Sequence, residues 1–287
     1  MPGDISLSLK AQLALQRAGF DYTRSLGQNF IFDEELLNRI ADCAGIEKGV
    51  NVLEIGPGAG LLTAIMAERN ANVLSIELDK TLEPVLQETV GEYGNVRIVY
   101  ADALRADLSA LLGESFGNQP YRVCANLPYY ITTDFIQKAV MLEPMPTSVT
   151  LMLQAEAAQR ILAAPGDEGW CALSAIVSFY CEGEKLLDVS REAFTPRPHV
   201  DSALIRLTAR GERLVPPERS RAFAAFIKSA FVMRRKTLVN NVSSSYSIPK
   251  ERAAEALQKL GIDLRMRGEA LSLDELSRVF FALTGDV

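Results

Sequence analysis

The sequence predicts an α/β protein with a mostly parallel β-sheet, followed by a small all-helical domain. Over roughly the first 200 of the 287 residues, apolar runs bounded by turn residues alternate with amphipathic stretches, as in βαβ units. A glycine-rich loop follows the first clear strand. Beyond about residue 210 only helical spacing remains. These observations predict one domain over residues 1–209 and a second over residues 210–287.

The elements follow in order along the chain. Predicted strands lie at 51–55, 72–76, 96–100, 121–125 and 148–153. Helices are predicted from about Leu61, Lys80 and Thr132 between these strands, and over 154–164 after them. The β-rich stretches 172–183, 184–190 and 200–209 are expected to add antiparallel strands. The proline-containing segment 210–220 indicates a linker, and helices are predicted at 221–231, 236–242, 250–261 and 272–285.

The composition excludes several classes of protein. Hydrophobic residues make up 48% of the chain, which is enough for a large core, so disorder is not expected. No apolar run approaches the ~20 residues of a membrane span or forms a signal-peptide core. The four cysteines show neither metal-site nor disulfide spacing, and the single histidine, His199, argues against a zinc centre. We therefore expect a cytoplasmic protein without a metal and without membrane contact.

Charge is distributed unevenly along the chain. The net charge is −6, but residues 191–250 carry twelve Lys or Arg against four acids, so this segment is +8 and the remainder is −14. Such an asymmetry concentrates a positive field on one part of the molecule. Taken alone, the segment is better explained by a solvated helical face than by nucleic-acid binding.

The stretch "LEIGPGAGLLT" (53–63) places three glycines between a strand and a helix. Gly56, Gly58 and Gly60 let the backbone turn sharply and let a ligand approach the amides at the helix N-terminus. A dinucleotide-binding loop has the spacing G-x-G-x-x-G, whereas here the third glycine comes one residue early. This departure favours a nucleoside without a pyrophosphate, such as S-adenosylmethionine.

Two acidic residues follow the next two strands. Glu77 comes where an acidic side chain accepts both hydroxyls of a ribose, and Asp102 could accept a hydrogen bond from the exocyclic amine of an adenine. A helix N-cap or first-turn carboxylate is the alternative for each, and by itself the better one for Asp102. Glycine, Glu and Asp at three successive strand ends nevertheless predict one nucleoside site at the carboxyl edge of the sheet.

The stretch "VCANLPYYITTDF" (123–135) ends a strand with an amide, a rigid turn and an aromatic ring. The N6 amine of adenine is a poor nucleophile because its lone pair is delocalised into the ring, so a methylating site needs acceptors for its hydrogens. Asn126 and a main-chain carbonyl of the Leu127–Pro128 turn supply acceptors, and Tyr129 supplies a stacking surface for an unstacked base. A capped turn with a core tyrosine is the alternative, but the neighbouring nucleoside signals favour adenine methylation.

Two further stretches have two interpretations each. "SLGQNFIFD" (25–33) is a polar turn before a helix, and an ordinary N-cap at Asp33 explains it equally well. "REAFTPRPHVDSALIRL" (191–207) places Phe194 before two prolines that hold the chain extended. Phe194 either faces a target base or belongs to the core.

These stretches together resemble the small-subunit ribosomal RNA adenine dimethyltransferase family. "GQNF", "EIGPGAG", "IELD", "DAL", "NLPYYIT", "FTPRPHVDSALIRL", "RRKTLVNN" and "RGEALSLDEL" occur in the family's order and span nearly the whole chain. The resemblance implies a Rossmann-like methyltransferase domain followed by a small helical domain. It implies dimethylation, at N6, of two adjacent adenines in the 3′-terminal hairpin loop of 16S rRNA, with S-adenosylmethionine as methyl donor, during small-subunit biogenesis.

The resemblance also assigns roles to residues of this chain. The implied partner is 16S rRNA within an immature small subunit, and the protein is expected to be a monomer. The base-holding residues would be Asn126, Leu127, Pro128 and Tyr129, with Phe194 beside them. The RNA-backbone contacts would come from Arg234, Arg235 and Lys236. The cofactor-binding residues would be Gln28, Asn29, Ile31, Gly56, Gly58, Gly60, Glu77, Asp102, Ala103 and Asn126.

The chain departs from the family's pattern in two places. Tyr130 stands where the family usually has Asn, which bears on the shape of the base pocket. The stretch 154–174 differs from the usual tyrosine-glycine version near Gly169 and Trp170, which bears on contacts with RNA.

Four other functions compete with this one. Antibiotic-resistance methyltransferases of the large-subunit RNA share the catalytic motifs, but "RRKTLVNN" and "RGEALSLDEL" resemble the small-subunit family. A non-catalytic checkpoint role in subunit assembly is compatible with catalysis. The basic segment and "NLPY" argue against a small-molecule methyltransferase. An NAD-dependent oxidoreductase is the weakest alternative, because nothing in the sequence supplies hydride-transfer chemistry.

Overall fold

A computed structural model of the chain describes residues 5–22 and 27–285; residues 25 and 26 of the stretch "SLGQNFIFD" therefore lie outside the described residues. In the described part, the main sheet has seven strands, and two short strands form a separate sheet. The strands are β1 (Phe30–Ile31), β2 (Asn51–Ile55), β3 (Asn72–Glu77), β4 (Val96–Tyr100), β5 (Tyr121–Asn126), β6 (Ser148–Gln154), β7 (Cys181–Val189), β8 (Phe194–Thr195) and β9 (Ser202–Ala209).

The main sheet is mostly parallel, as the sequence predicts. Its strand order is β4-β3-β2-β5-β6-β9-β7, and the pairs β2–β3, β3–β4, β2–β5 and β5–β6 are parallel. The late strand β9 pairs antiparallel with β6, which confirms the expected antiparallel addition. Because the order reverses between β2 and β5, a crevice opens there beyond the carboxyl ends of the strands.

The helices agree with most of the predicted positions, including starts at Leu61 and Thr132. Asp33 caps a helix as expected, since its side chain accepts a hydrogen bond from the Leu36 amide. The helices are α1 (Leu7–Arg17), α2 (Glu34–Cys43), α3 (Leu61–Glu68), α4 (Glu83–Val90), α5 (Leu108–Phe116), α6 (Thr132–Val140), α7 (Ala155–Ile161), α8 (Ala172–Tyr180), α9 (Ser220–Phe231), α10 (Leu238–Tyr246), α11 (Lys250–Lys259) and α12 (Leu273–Thr284).

One predicted strand is wrong. The sequence predicts a β-rich stretch at 172–183, but residues 172–180 form α8 and only the last residues of the stretch begin β7. The run of Ala, Leu, Ile and Val is too short for its period to separate a buried helix from a buried strand. The deciding signal is local: Ser174 Oγ accepts a hydrogen bond from the Cys171 amide at 2.8 Å, which caps the helix start.

The chain divides into two compact units. One comprises Met1–Ala158 and Gly183–Ala209, and the other comprises Gln159–Glu182 and Arg210–Val287. The first contains a hydrophobic core formed mainly by α1 to α4, with residues of β1 to β3 and of later strands, Phe194 of β8 among them. The second contains a cluster of aromatic rings, in which Phe223 of α9 packs against Phe179 and Phe280. Trp170 belongs to the same unit and packs edge-on against Phe231.

None of the helices within 5–22 and 27–285 has both the length and the apolar character that a membrane span needs.

The glycine loop between β2 and α3 is held by close packing at its last glycine. Gly60 is the N-cap of α3 and has φ +83°, a left-handed conformation that L side chains rarely adopt. A Cβ at this position would lie 2.6 Å from Thr89 Oγ1 and 3.1 Å from a Val90 methyl carbon, both on α4. Only glycine therefore lets α3 start this close to α4.

Gly60→Ala is expected to lower the free energy of unfolding by about 2–4 kcal/mol, because it combines a left-handed backbone with overpacking against Thr89. The effect should be present without any ligand, as measured by urea denaturation. Gly113→Ala is the matched control, since Gly113 lies in α5 with no atom within 4 Å of an added Cβ. That variant should be neutral or slightly more stable. Equal stability of the two variants would contradict this account.

Candidate active site at the carboxyl edge of the sheet

An open cavity lies where β2, β3, β4 and β5 end. It is lined by the residues that follow these strand ends and by the segment before β1. The structure thus brings together most of the residues predicted from the sequence. Those lining the cavity are Gln28, Asn29, Ile31, Gly56, Gly58, Glu77, Asp102, Ala103, Asn126, Leu127, Pro128 and Tyr129.

Two of the residues predicted to hold the cofactor or the base do not line this cavity. Gly60 faces α4, as described above. Phe194 is 3% exposed and belongs to the core, which is the second of its two interpretations. It pairs with Ile31 across the two-stranded sheet of β1 and β8. Phe194 therefore supports the strand beside the cavity without contributing to its wall.

Of the two loop glycines that line the cavity, Gly58 has the closer neighbouring side chain. A Cβ on this residue would lie 2.8 Å from the Phe30 ring, and φ is +57°. The Gly58 amide points to Glu77 Oε2 at 3.4 Å. At Gly56, an added Cβ would contact the Pro128 ring at 3.4 Å. The glycine loop thus forms a shallow cradle between Phe30, Glu77 and Pro128 that any side chain would fill.

Glu77 ends β3 with a buried carboxylate that is 6% exposed. Oε1 accepts a hydrogen bond from the Asp79 amide at 2.7 Å. Burial raises the pKa of Glu77, while the hydrogen bonds from the Asp79 and Gly58 amides act in the opposite direction. A buried carboxylate at a cavity wall gains most from a ligand that donates hydrogen bonds, such as a pair of ribose hydroxyls.

Asp102 lines the cavity and caps a turn, whereas the N-cap of the following helix α5 is Asp107, so the helix-cap interpretation of Asp102 is wrong. Oδ1 accepts a hydrogen bond from the Leu104 amide at 2.8 Å. Oδ2 lies 3.4 Å from the guanidinium of Arg105, which is 89% exposed. The turn carries Ala103 into the cavity wall beside Asp102.

Asn126 is oriented by the segment before β1. Its Nδ2 donates to the Asn29 carbonyl at 2.9 Å, so the amide oxygen remains available as an acceptor. The next residue, Leu127, extends the β5–β6 ladder because its amide donates to the Met152 carbonyl at 3.2 Å. Two rigid anchors thus fix the end of β5, one through a side chain and one through the backbone.

The turn after Asn126 contains the main-chain carbonyls of Leu127 and Pro128, and these two differ in their hydrogen bonds. The Pro128 carbonyl accepts from the Ile131 amide at 3.2 Å and from Thr132 Oγ1 at 3.5 Å. It is therefore engaged inside the turn, and Leu127 supplies the better candidate acceptor of the two. Tyr129 is half-buried, and its hydroxyl lies 3.0 Å from Ser202 Oγ on β9. This contact holds the far end of the ring, which lines the cavity.

The segment before β1 closes another side of the cavity. Gln28 Nε2 donates to Asp79 Oδ2 at 2.7 Å, which joins this segment to the turn after β3. Asn29 Nδ2 donates to the Gly27 carbonyl at 3.0 Å. An added Cβ on Gly27 would lie 3.5 Å from the Tyr130 ring. Tyr130, the residue at which the chain departs from the family's pattern, is 51% exposed at this cavity.

Sequence reasoning missed Glu54, a buried acid in the cavity wall. It is 1% exposed within β2, and its Oε2 accepts from Thr63 Oγ1 at 2.6 Å and Ser75 Oγ at 2.8 Å. Burial raises the pKa of Glu54 to about 7, against the opposing effect of the two hydroxyl hydrogen bonds. The available signal was an acid inside the otherwise apolar strand "NVLEI".

The site fits S-adenosylmethionine. A glycine cradle leaves room for backbone contact, a buried carboxylate and a turn-capping carboxylate stand on successive strand ends, and an amide acceptor lies next to them. In the parts of the chain that the structure describes, no three His, Cys, Asp or Glu side chains form a group that could hold a metal ion.

Comparison with known proteins decides the family. The family model described as ribosomal RNA adenine dimethylase matches residues 19–284. The chain belongs to this family. It is an rRNA adenine dimethyltransferase, and S-adenosylmethionine is its methyl donor. The fold class expected from the sequence is confirmed with it.

Relatives and solved structures agree with this assignment. The chain is 41% identical over 288 residues to ribosomal RNA small subunit methyltransferase A of Geobacillus thermodenitrificans, covering 99% of this chain and 98% of that one. It is 40% identical to the protein of the same name from Alkaliphilus oremlandii, covering 94% and 95%. The 23S rRNA methyltransferase ErmE is 29% identical, with a TM-score of 0.64, covering 89% and 100%. A dimethyladenosine transferase from Plasmodium falciparum shares the fold, with a TM-score of 0.69 and 24% identity, covering 87% and 95%.

The predicted RNA-contacting residues lie in the second unit. Arg234, Arg235 and Lys236 form an exposed segment between α9 and α10. Arg234 Nε lies 3.3 Å from Glu269 Oε2, so this cation is already paired within the dimethyltransferase. Arg235 and Lys236 are the two cations of the segment to test first.

The raised pKa of Glu54 predicts a pH dependence of stability. The folded dimethyltransferase keeps a proton on Glu54 up to about pH 7, whereas the ordinary pKa of a glutamate in an unfolded chain is 4.5. Its contribution to the free energy of unfolding is therefore fully present below pH 4.5 and is lost as the pH rises to about 7, by about 1.4 kcal/mol per pH unit at most.

Glu54→Gln keeps this side chain neutral at every pH. Urea denaturation should therefore show the Gln variant gaining stability relative to the parent between pH 5 and pH 8. Glu47→Gln, at an exposed position, is the control for loss of one carboxylate. A Glu54→Gln difference that is the same at both pH values would mean that Glu54 does not titrate as described.

Proposed function

We propose that this enzyme dimethylates N6 of two adjacent adenines in the 3′-terminal hairpin loop of 16S rRNA. The proposal is carried by one observation: the relatives named as small-subunit methyltransferases match end to end at about 40% identity, against 29% for the 23S enzyme. The C-terminal stretches "RRKTLVNN" and "RGEALSLDEL", which resemble the small-subunit family, point to the same substrate.

In this proposal the first unit holds the cofactor along the strand ends. Glu77 accepts the ribose hydroxyls, and Asp102 with Ala103 holds the adenine. The methionine part lies against Gln28, Asn29 and Ile31, with the glycine loop beneath it. The lining of one cavity by these residues supports the division. When bound, S-adenosylmethionine supplies an electrophilic methyl group on a sulfonium.

The chain's own residues orient the target amine. The Asn126 amide oxygen and the Leu127 carbonyl accept the two N6 hydrogens, which directs the nitrogen lone pair towards the methyl donor. Asn126 can do this because its Nδ2 is engaged by Asn29. Tyr129 stacks on the unstacked adenine, with its ring anchored through Ser202. No side-chain base would be required before transfer: the C–N bond would form as the sulfonium gives up its methyl group, and the extra proton on N6 would then pass to water.

The proposal extends to the partner and the setting. The helical unit, residues 159–182 and 210–287, binds RNA, and the enzyme acts as a monomer on an immature small subunit in the cytoplasm. Within that unit, residues 210–250 carry nine Lys or Arg against two acids, a net charge of +7, which supports the RNA contact. Four free cysteines among the described residues support a reducing compartment.

The decisive experiment is methyl transfer from radiolabelled S-adenosylmethionine to undermethylated small subunits, with large subunits in parallel and nucleoside analysis of the product. Dimethyladenosine is expected from the small subunit alone. Asn126→Ala should lower turnover about 10²–10³-fold, since its acceptor acts mainly in the transition state, with subunit binding retained. Asn118→Ala, at an exposed loop position, is the matched control. Label in the large subunit alone would make the enzyme a 23S methyltransferase, and binding without label would make it an assembly factor.

Removal of charge from the segment between α9 and α10 should weaken RNA binding. Arg235→Gln with Lys236→Gln is expected to lower affinity for the rRNA and to reduce the slope of log K against log salt by roughly one for each phosphate that is no longer neutralised. Arg252→Gln with Lys259→Gln removes two exposed charges from α11 and is the control. An equal change of slope in both double variants would place the RNA surface elsewhere.

A further inference from the structure

Lys138 makes an unusual set of contacts beside the cavity. It lies in the last turn of α6, and its ammonium donates to three main-chain carbonyls. The distances are 3.0 Å to Ala103, 3.0 Å to Leu104 and 2.8 Å to Ala106. Because an ammonium has three donors, one short turn uses them all.

The amides of the same turn donate hydrogen bonds to Asp102, the residue at which the turn begins. The Asp102 carbonyl accepts from the Arg105 amide at 3.0 Å and from the Ala106 amide at 2.8 Å. Its side chain accepts from the Leu104 amide. Asp102 therefore holds the turn 102–106 by accepting from the amides of the turn, and Lys138 holds it by donating to the carbonyls of the turn. Burial lowers the pKa of Lys138, and the nearby charges of Asp102 and Asp107 act in the opposite direction.

The position of Lys138 connects two parts of the site. The helix α6 follows directly on the turn that begins at Asn126, and Thr132 at its start bonds to the Pro128 carbonyl. The turn 102–106 carries Asp102 and Ala103 into the cavity wall. Lys138 is thus the link between the helix behind the proposed base pocket and the loop behind the proposed adenine pocket of the cofactor.

We propose that Lys138 is a positioning residue for S-adenosylmethionine: its three hydrogen bonds hold the 102–106 turn so that Asp102 and Ala103 meet the cofactor's adenine. This inference rests on the proposed assignment of the cavity. A merely structural lysine would stabilise the fold without affecting cofactor affinity selectively. The test must therefore separate affinity from stability.

The structure supplies a control with the same kind of contact. Arg122 is the second residue of β5, near the opposite end of the strand from Asn126, and it bridges the carbonyls of Ala44 and Gly45. It does not line the cavity. Arg122→Met removes a cation that bridges a loop, as Lys138→Met does, but away from the proposed adenine pocket.

The measurement is the Kd for S-adenosylmethionine by calorimetry, with melting curves and steady-state kinetics of the same preparations. Lys138→Met should raise the Kd and KM for S-adenosylmethionine about tenfold, as expected when a binding group is misplaced, with kcat at saturating cofactor close to the parent value. Lys138→Arg, which keeps donors and charge, should recover most of the affinity. Arg122→Met should lower the melting temperature without changing the Kd.

A double-mutant cycle gives a readout that stability alone does not move. Lys138→Met and Asp102→Ala should be less than additive in their effect on the Kd, because both loosen the same turn. Lys138→Met and Asn29→Ala should be additive. If the Met variant does not fold, Lys138→Gln, with two amide donors, is used in both cycles instead.

Two results would overturn the inference. One is a Lys138 variant that binds S-adenosylmethionine as tightly as the parent. The other is an equal loss of affinity in Arg122→Met, which would assign the effect to general destabilisation. Failure of the parent itself to bind S-adenosylmethionine would instead overturn the assignment of the cavity on which the inference rests.

Discussion

The cross-strand pair of Glu54 and Ser75 is the contact on which the site depends. Glu54 of β2 lies opposite Ser75 of β3, and the serine hydroxyl donates to the buried carboxylate. A slip of one residue would place Leu74 or Ile76 opposite Glu54 and leave a buried acid with one partner fewer, which is costly. The register is thus specified, and it sets how Gly56, just after β2, lies relative to Glu77, the last residue of β3. The buried Glu54 therefore favours this register of β2 and β3 over a shifted one, and this effect is larger than its contribution to the free energy of unfolding.

The segment before β1 also fixes the positions of several residues of the site. The Asn29 carbonyl accepts a hydrogen bond from the side-chain amide of Asn126. The strand β1, which follows Asn29, pairs with β8. Phe194, buried in β8, pairs with Ile31 of β1, which lines the cavity. A residue can thus belong to a motif of the active site and still serve as core. The same distinction applies to Gly60, whose lack of a side chain is required by Thr89.

The sequence predicts well wherever one local rule decides the outcome. Strand ends followed by glycine, Glu77, Asp102 and Asn126 indicate a shared edge, since parallel strands always present their carboxyl ends together. It fails where the outcome depends on tertiary partners. Nothing near Glu54 in the chain reveals that Ser75 will face it, because the pairing is set by register. The sequence does not predict the contacts of Lys138 either, since its three acceptors lie more than thirty residues away along the chain. The sequence does not predict the helix α8 because a short apolar run satisfies either period.

The turn after Asn126 explains how one site could serve two successive transfers. In the proposed geometry the two acceptors come from consecutive residues, Asn126 and Leu127, while the Pro128 carbonyl is engaged by Ile131. An unmethylated N6 uses both acceptors, but a monomethylated N6 has a single hydrogen and uses one. The other acceptor must then tolerate a methyl group beside it. In the same proposal Tyr129, anchored through Ser202, would hold the plane of the base by stacking, which does not depend on how many hydrogens remain on N6. The base can therefore keep its place between transfers although it makes one hydrogen bond fewer.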